Sequence, residues 1–215
     1  MILNEKISTT GAGRTDAGVH AINFCAHFDS ISPDLSANRK LVFRLNRYLP
    51  IDISVNSIQK VVPDSNARYS AISRTYNYYI SKTKDPFLDK SSWYVHGEID
   101  IDSMNEACIL LSQHSDFTSF SRLHSGAKSN VCKIYNAGWE LSENRLVFTI
   151  KADRFLRNMV RAIVGTMIEI GFGKMDLKEF EEIILAKDRC KAGKSAPAKG
   201  LFLVDIEYPE DIYMR

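Results

Sequence analysis

The sequence predicts an α+β protein in two halves, each made of antiparallel strands with helices laid on one face. Three observations carry that expectation. Some segments alternate apolar and polar residues at the period of a strand, and others repeat apolar residues at the period of a helix. Between the two groups of elements lies a turn-rich break, "PDSNA" at 63 to 67, which places the halves at residues 1–66 and 67–215.

The elements follow in order. "HAINFCAHF" sets Ile22, Phe24, Ala26 and Phe28 at period two, which predicts a strand with one buried face. "SANRKLVFRLNRYLP" predicts a helix capped by Ser36, with Leu41, Val42, Leu45 and Leu49 on one side and Pro50 ending it. Its other side carries Lys40, Arg44 and Arg47, either a solvated face or a stripe able to track a phosphate backbone. "DISVNSIQKVV" predicts a strand. Past the break, "RYSAISRTYNYYISK" is rich in β-branched and aromatic residues, and Arg74, Tyr76 and Tyr78 share one face of the strand.

Ser103 and Glu106 have capping-box spacing ahead of Met104, Ala107, Cys108 and Leu111. "NAGWELSENRLVFTIKAD" predicts a hairpin turning at 142–144, with Leu146, Phe148 and Ile150 inward. "RFLRNMVRAIVGTMIEIGFG" has the strongest helical pattern, because the apolar pairs 155/156, 159/160, 163/164 and 167/168 recur every four residues. Arg154, Arg157 and Arg161 are expected as neighbours off that stripe. Asp176 with Glu179 caps a further helix in "MDLKEFEEIILAK", and "GLFLVDIEY" is the closing strand.

Composition narrows the function. With 215 residues, 45% hydrophobic and 25% charged, the chain can bury a real core and has no disordered profile. Its 28 basic and 26 acidic residues leave a net charge of only +2, so any nucleic acid must meet a local patch rather than a basic coat. Cys25, Cys108, Cys132 and Cys190 have neither zinc spacing nor a disulfide framework, so no metal site is assigned. The beginning "MILNEKISTT" lacks a signal-peptide core and "AIVGTMIEIGFG" is too short to span a bilayer, so a cytoplasmic location without a membrane is expected.

The densest cluster of charge and glycine is "GAGRTDAGVHA" at 11–21. It matches neither a P-loop nor a dinucleotide fingerprint, and a strand follows it. On local grounds it is a turn whose aspartate bonds its own backbone. An acid-base pair of Asp16 with His20 is conceivable, although the spacing fixes no contact between them.

The whole string, however, resembles the signature of the TruA family of tRNA pseudouridine synthases, whose G-R-T-D-A-G aspartate is catalytic. "ARYSAISRTYNYYI", "DFTSFSR", "FLRNMVRAIVGTMIEIGFGK" and "APAKGLFLVDIEYP" resemble four further blocks of that family in the same order. Members ordinarily begin with a strand and a helix upstream of G-R-T-D. Here ten residues precede Gly11, and "MILNEKISTT" resembles the end of that helix and its exit, so the chain starts short of the family's first strand and most of its first helix.

The resemblance implies the pseudouridine synthase fold with a cleft between the halves, action on uridines at positions 38 to 40 in the anticodon stem-loop of tRNA, and a homodimer. The implied reaction is an isomerisation, an intramolecular transfer that needs no metal or organic cofactor. It requires an ionised carboxylate and a pocket that holds the base out of its stack. Asp16 matches the catalytic aspartate. Arg161 matches the M-V-R arginine, a cation able to keep that carboxylate ionised in a desolvated cleft. Tyr76 matches the first tyrosine of R-x-Y-x-Y, whose ring can stack on the uracil, with Tyr78 as its rival. Leu201 is expected on the opposite wall, and Arg14 to fill the gap left by the flipped base or to hold its phosphate. His20 is expected to be structural. A non-catalytic RNA-binding module is the other reading left open.

Overall fold

The structure is a computed structural model and describes residues 3–122, 126 and 128–214. Its strands are β1 (Thr10–Gly11), β2 (His20–Ala21), β3 (Ala26–His27), β4 (Ser73–Ser81), β5 (Trp93–Tyr94), β6 (Ile134–Ser142), β7 (Arg145–Ala152) and β8 (Leu201–Glu207). Its helices are α1 (Arg39–Tyr48), α2 (Ile101–Ser112), α3 (Met159–Gly171) and α4 (Leu177–Ala186). Two compact units divide the chain: Met1–Arg14, Cys25–Ala71 and Tyr208–Arg215 form the first, and Thr15–Phe24 with Ile72–Glu207 form the second. A single break near residue 66 would place 15–24 in the first half. Strand pairing ties them instead to the second, with His20 and Ala21 beside Phe202 and Leu203.

The second unit holds a six-stranded sheet in the order β2-β8-β4-β7-β6, with β5 on β4. Alternation along the β6–β7 hairpin and β4 puts Leu146, Phe148, Ile150, Tyr78 and Ile80 on one fully buried face. There they join Met104, Ala107, Cys108 and Leu111 of α2, the apolar stripe of α3, and Phe180, Ile183 and Ile184 of α4 in one core. The sheet is mixed rather than wholly antiparallel, because β2 runs parallel to β8 and β5 parallel to β4. Parallel neighbours need a connection of roughly a dozen residues or more, which both pairs have.

Several elements differ from the sequence expectation. Asp100, not Ser103, caps α2: its carboxylate accepts from the Ser103 amide at 3.1 Å and hydroxyl at 2.7 Å. The Ser103 hydroxyl, then the amide, hold that carboxyl below the usual carboxylate range. Helix α3 begins only at Met159, since Asn158 before it has a left-handed φ of 68°. Arg154 and Arg157 therefore precede the helix and do not extend its face. The expected strand over 20–28 is divided, β2 joining the second unit and β3 pairing with β1 in the first. No single sheet covers it, and Ile22 and Phe24 remain exposed.

In the first unit, α1 is capped by Asn38, whose side-chain Oδ1 accepts from the Leu41 amide at 3.2 Å; the predicted cap Ser36 lies in the preceding 3-10 turn. Leu41 is buried, while Lys40, Arg44 and Arg47 are exposed. The segment 52–62, predicted as a strand, runs irregularly apart from a bridge of Val61 to Tyr213. In place of a neighbouring strand, the Asn46 amide bonds the Val55 backbone in both directions, at 2.8 and 2.6 Å. Residues 3–9, expected as a helix exit, are bends and irregular chain leading into β1, held where Glu5 accepts from the Ser30 and Ser32 hydroxyls. Residues 1 and 2 of that expectation lie outside the described residues. The Tyr208 hydroxyl donates to the Ala67 carbonyl at 2.6 Å and ties the C-terminal stretch to this unit.

Candidate active site

The glycine-rich stretch folds as a turn in which the Val19 amide donates to the Asp16 carbonyl at 3.1 Å. Gly18 has φ of 82°, a conformation that a side chain would strain, so glycine suits the turn on backbone grounds. The Asp16 carboxylate points at arginines. Arg161 Nη1 donates to its Oδ2 at 2.8 Å, and Arg157 Nε stands 3.8 Å from Oδ1. The Asp16 and Arg161 side chains are 23% and 20% exposed, whereas Arg157 is 56% exposed. One carboxylate thus has a semi-buried partner and a second cation open to solvent.

Each partner is set by a different element. Arg161 is on the first turn of α3, where its Nε donates to the Ala196 carbonyl at 2.7 Å and its own carbonyl accepts from the Ala196 amide at 2.9 Å. With Nε engaged, the guanidinium is left presenting Nη1 to Asp16. Arg157 is in the turn before α3, and its carbonyl accepts from the Arg122 amide at 2.9 Å, which joins the "DFTSFSR" segment to the site.

The two tyrosines of β4 differ sharply. Tyr78 is fully buried, and its hydroxyl donates to the Pro197 carbonyl at 2.7 Å. Burial pushes its phenol well above the usual range, with the Arg161 charge opposing. Tyr76 is partly exposed, set edge-on to Phe155 at 5.0 Å, next to the register shift between β4 and β8. Its phenol is also raised, by burial first and against Arg74. Leu201 lies across from Tyr78 and is 6% exposed. Arg14 is exposed at the end of a segment of the first unit. The His20 ring stacks on Phe202 at 4.4 Å and bonds the Lys90 carbonyl at 2.8 Å.

Spacing alone did not bring Arg157 to the carboxylate, and it did not mark residues 189–195, which pack on α3; only the neighbouring "APAKGL" block pointed nearby. Among the described residues, no group of three His, Cys, Asp or Glu could hold a metal ion, and no helix is long and apolar enough to cross a membrane.

With this geometry in place, similarity to known proteins is informative. Residues 107–209 match the family model described as tRNA pseudouridine synthase. A tRNA pseudouridine synthase A of Parabacteroides distasonis is 51% identical over 215 residues, covering 99% of this chain and 84% of that protein. One from Bacteroides thetaiotaomicron is 50% identical over 214 residues, 98% of this chain and 79% of that protein. One from Caldicellulosiruptor bescii is 38% identical over 209 residues, 96% of this chain and 85% of that protein. Identity at this level over nearly the whole chain means that the chain belongs to the tRNA pseudouridine synthase A family.

Proposed function

We propose that this protein isomerises uridine to pseudouridine in tRNA, at positions 38 to 40 of the anticodon stem-loop, acting as a cytoplasmic homodimer. The observation that carries the reading is the Asp16 carboxylate, held by Arg161 at 2.8 Å on the glycine-rich turn. The reaction breaks the bond from N1 of uracil to C1′ and forms one from C5 to C1′; the C5 proton leaves and N1 gains one. Asp16 acts on the ribose or the uracil as nucleophile or base. Arg161 stabilises its charge and fixes its direction. The Tyr76 ring stacks on the extruded base, while Leu201 backs the opposite wall from within the core. Arg14 takes the adjacent phosphate or the space that the base vacates.

The test is release of tritium from tRNA transcribed with [5-³H]uridine. Asp16→Asn keeps the shape and removes both nucleophile and base, so turnover is expected to vanish while tRNA affinity holds. Turnover within tenfold of the unaltered protein would remove Asp16 from this role, and absence of release by the unaltered protein would favour an RNA-binding module.

A further inference from the structure

We infer that Arg189 is a positioning residue for the reaction: it clasps the loop 192–197, and through that loop it sets the direction in which Arg161 presents its guanidinium to Asp16. This rests on the proposed role of the Asp16–Arg161 pair.

The chain of contacts is continuous. Arg189 follows α4 in a turn anchored to the core, where the Asp188 amide donates to the hydroxyl of buried Ser119 at 2.9 Å. From there its guanidinium reaches three acceptors in the loop. Nη1 donates to the Ala192 and Gly193 carbonyls at 3.3 and 3.1 Å, and Nη2 to the Ser195 hydroxyl at 2.8 Å. A rigid planar fork suits this bidentate use, and a lysine ammonium cannot reproduce it. The Ser195 oxygen also accepts from the Asn158 side chain at 2.6 Å, and Asn158 is the residue from which α3 starts. One hydroxyl therefore joins the end of Arg189 to the beginning of the helix that carries Arg161.

The next residue completes the relay. Ala196 is bonded to Ser195, and its carbonyl receives Arg161 Nε while its amide donates to the Arg161 carbonyl. The loop is pressed close to the helix over the next turn as well. The Gly193 amide donates to the Thr166 hydroxyl at 3.0 Å, and a Cβ on Gly165 would run into the Lys194 carbonyl. Removal of the Arg189 fork leaves Ser195 with Asn158 and releases two loop carbonyls, so the Ala196 carbonyl loses its fixed place under Arg161. A displacement of about 1 Å at a reacting group can cost roughly a hundredfold in rate.

The experiment compares Arg189→Met and Arg189→Lys with the unaltered protein in tritium release from [5-³H]uridine tRNA. It measures kcat and KM separately, and the folded fraction at the assay temperature by circular dichroism. Arg189→Met is expected to lower kcat about ten- to a hundredfold, with KM within twofold and the folded fraction unchanged, and Arg189→Lys to recover part of the loss. A fall in kcat below fivefold, counted per folded molecule, overturns the inference. If Arg189→Met does not fold, Ser195→Ala carries the same test with the same thresholds. Asp16→Asn in the same assay separates the two readings: an active Asp16→Asn defeats the proposed chemistry, whereas an inactive Asp16→Asn beside an unimpaired Arg189→Met defeats this inference alone.

Discussion

Arg161 divides one guanidinium between two acceptors, the Ala196 carbonyl through Nε and the Asp16 carboxylate through Nη1. Arg161→Met removes both bonds. Turnover on transcribed tRNA is expected to fall about a hundredfold, with tRNA affinity within threefold. The cost to stability stays below the roughly 3 to 5 kcal/mol of a fully buried pair, since both ends keep about a fifth of their exposure. Arg161→Lys should lose less, because a charge remains near Asp16 although the fork is gone. At Tyr76 the ring is the working part, so Tyr76→Phe should retain turnover; Tyr76→Leu should lose the roughly 1 to 3 kcal/mol of base stacking, read in kcat/KM. Tyr78 makes a prediction of another kind. Burial raises its phenol above the ordinary tyrosine value of 10.0, so the unfolded chain ionises first. The stability it confers is complete below about pH 10 and is lost as pH rises beyond that. Urea unfolding between pH 9 and 11 should show a smaller alkaline decline in Tyr78→Phe.

Among the elements, α4 was the most legible. The Asp176 carboxylate accepts from the Glu179 amide at 2.7 Å, and the Glu179 carboxylate from the Asp176 amide at 2.9 Å, as the spacing of the pair predicts. Asp176→Ala should cost about 1 kcal/mol in urea unfolding, the usual value of a cap. Helix α3 shows the limit of the same approach. Its apolar repeat starts at 155, but the helix starts at Met159 because Asn158 turns left-handed. Periodicity records which face is apolar, whereas the backbone break depends on where the Asn158 side chain finds Ser195, 37 residues away. Gly165 in the same helix is required by the loop against it. Gly165→Ala should therefore destabilise the second unit despite alanine's better helix propensity, a sign that thermal unfolding reads directly.

For the molecule as a whole, a net charge of +2 conceals basic faces in each unit. Lys40, Arg44 and Arg47 are exposed on α1 of the first unit, and Arg154 and Arg157 before α3 of the second. Binding of anticodon stem-loop RNA should therefore weaken with salt, by a slope of about 0.9 for each duplex phosphate neutralised. The triple change Lys40→Ala, Arg44→Ala, Arg47→Ala should flatten that slope and leave the pH profile of turnover unchanged. A slope near zero in the unaltered protein would mean that these faces are only solvated.

The sequence by itself determined the α+β class, the buried faces of the β6–β7 hairpin and of α2, the cap of α4, and the family resemblance that singled out Asp16, Arg161 and Tyr76. Each of these is written locally, in periods of two or near four, in cap spacing, or in a contiguous signature. Only the tertiary structure decided that residues 20–28 divide between two sheets and that 52–62 finds a side chain instead of a strand. It also placed Tyr78 in the core and left Tyr76 partly open, though both share one face of β4. Above all it closed the pair of Asp16 with Arg161 across 145 positions, and tied Arg189 to it through Ser195. The physical reason is common to them. A local pattern reports which side of an element avoids water, and every residue with that pattern satisfies it equally. Which carbonyl, strand edge or cation meets that side is set by chain far off in sequence, once packing has brought it there.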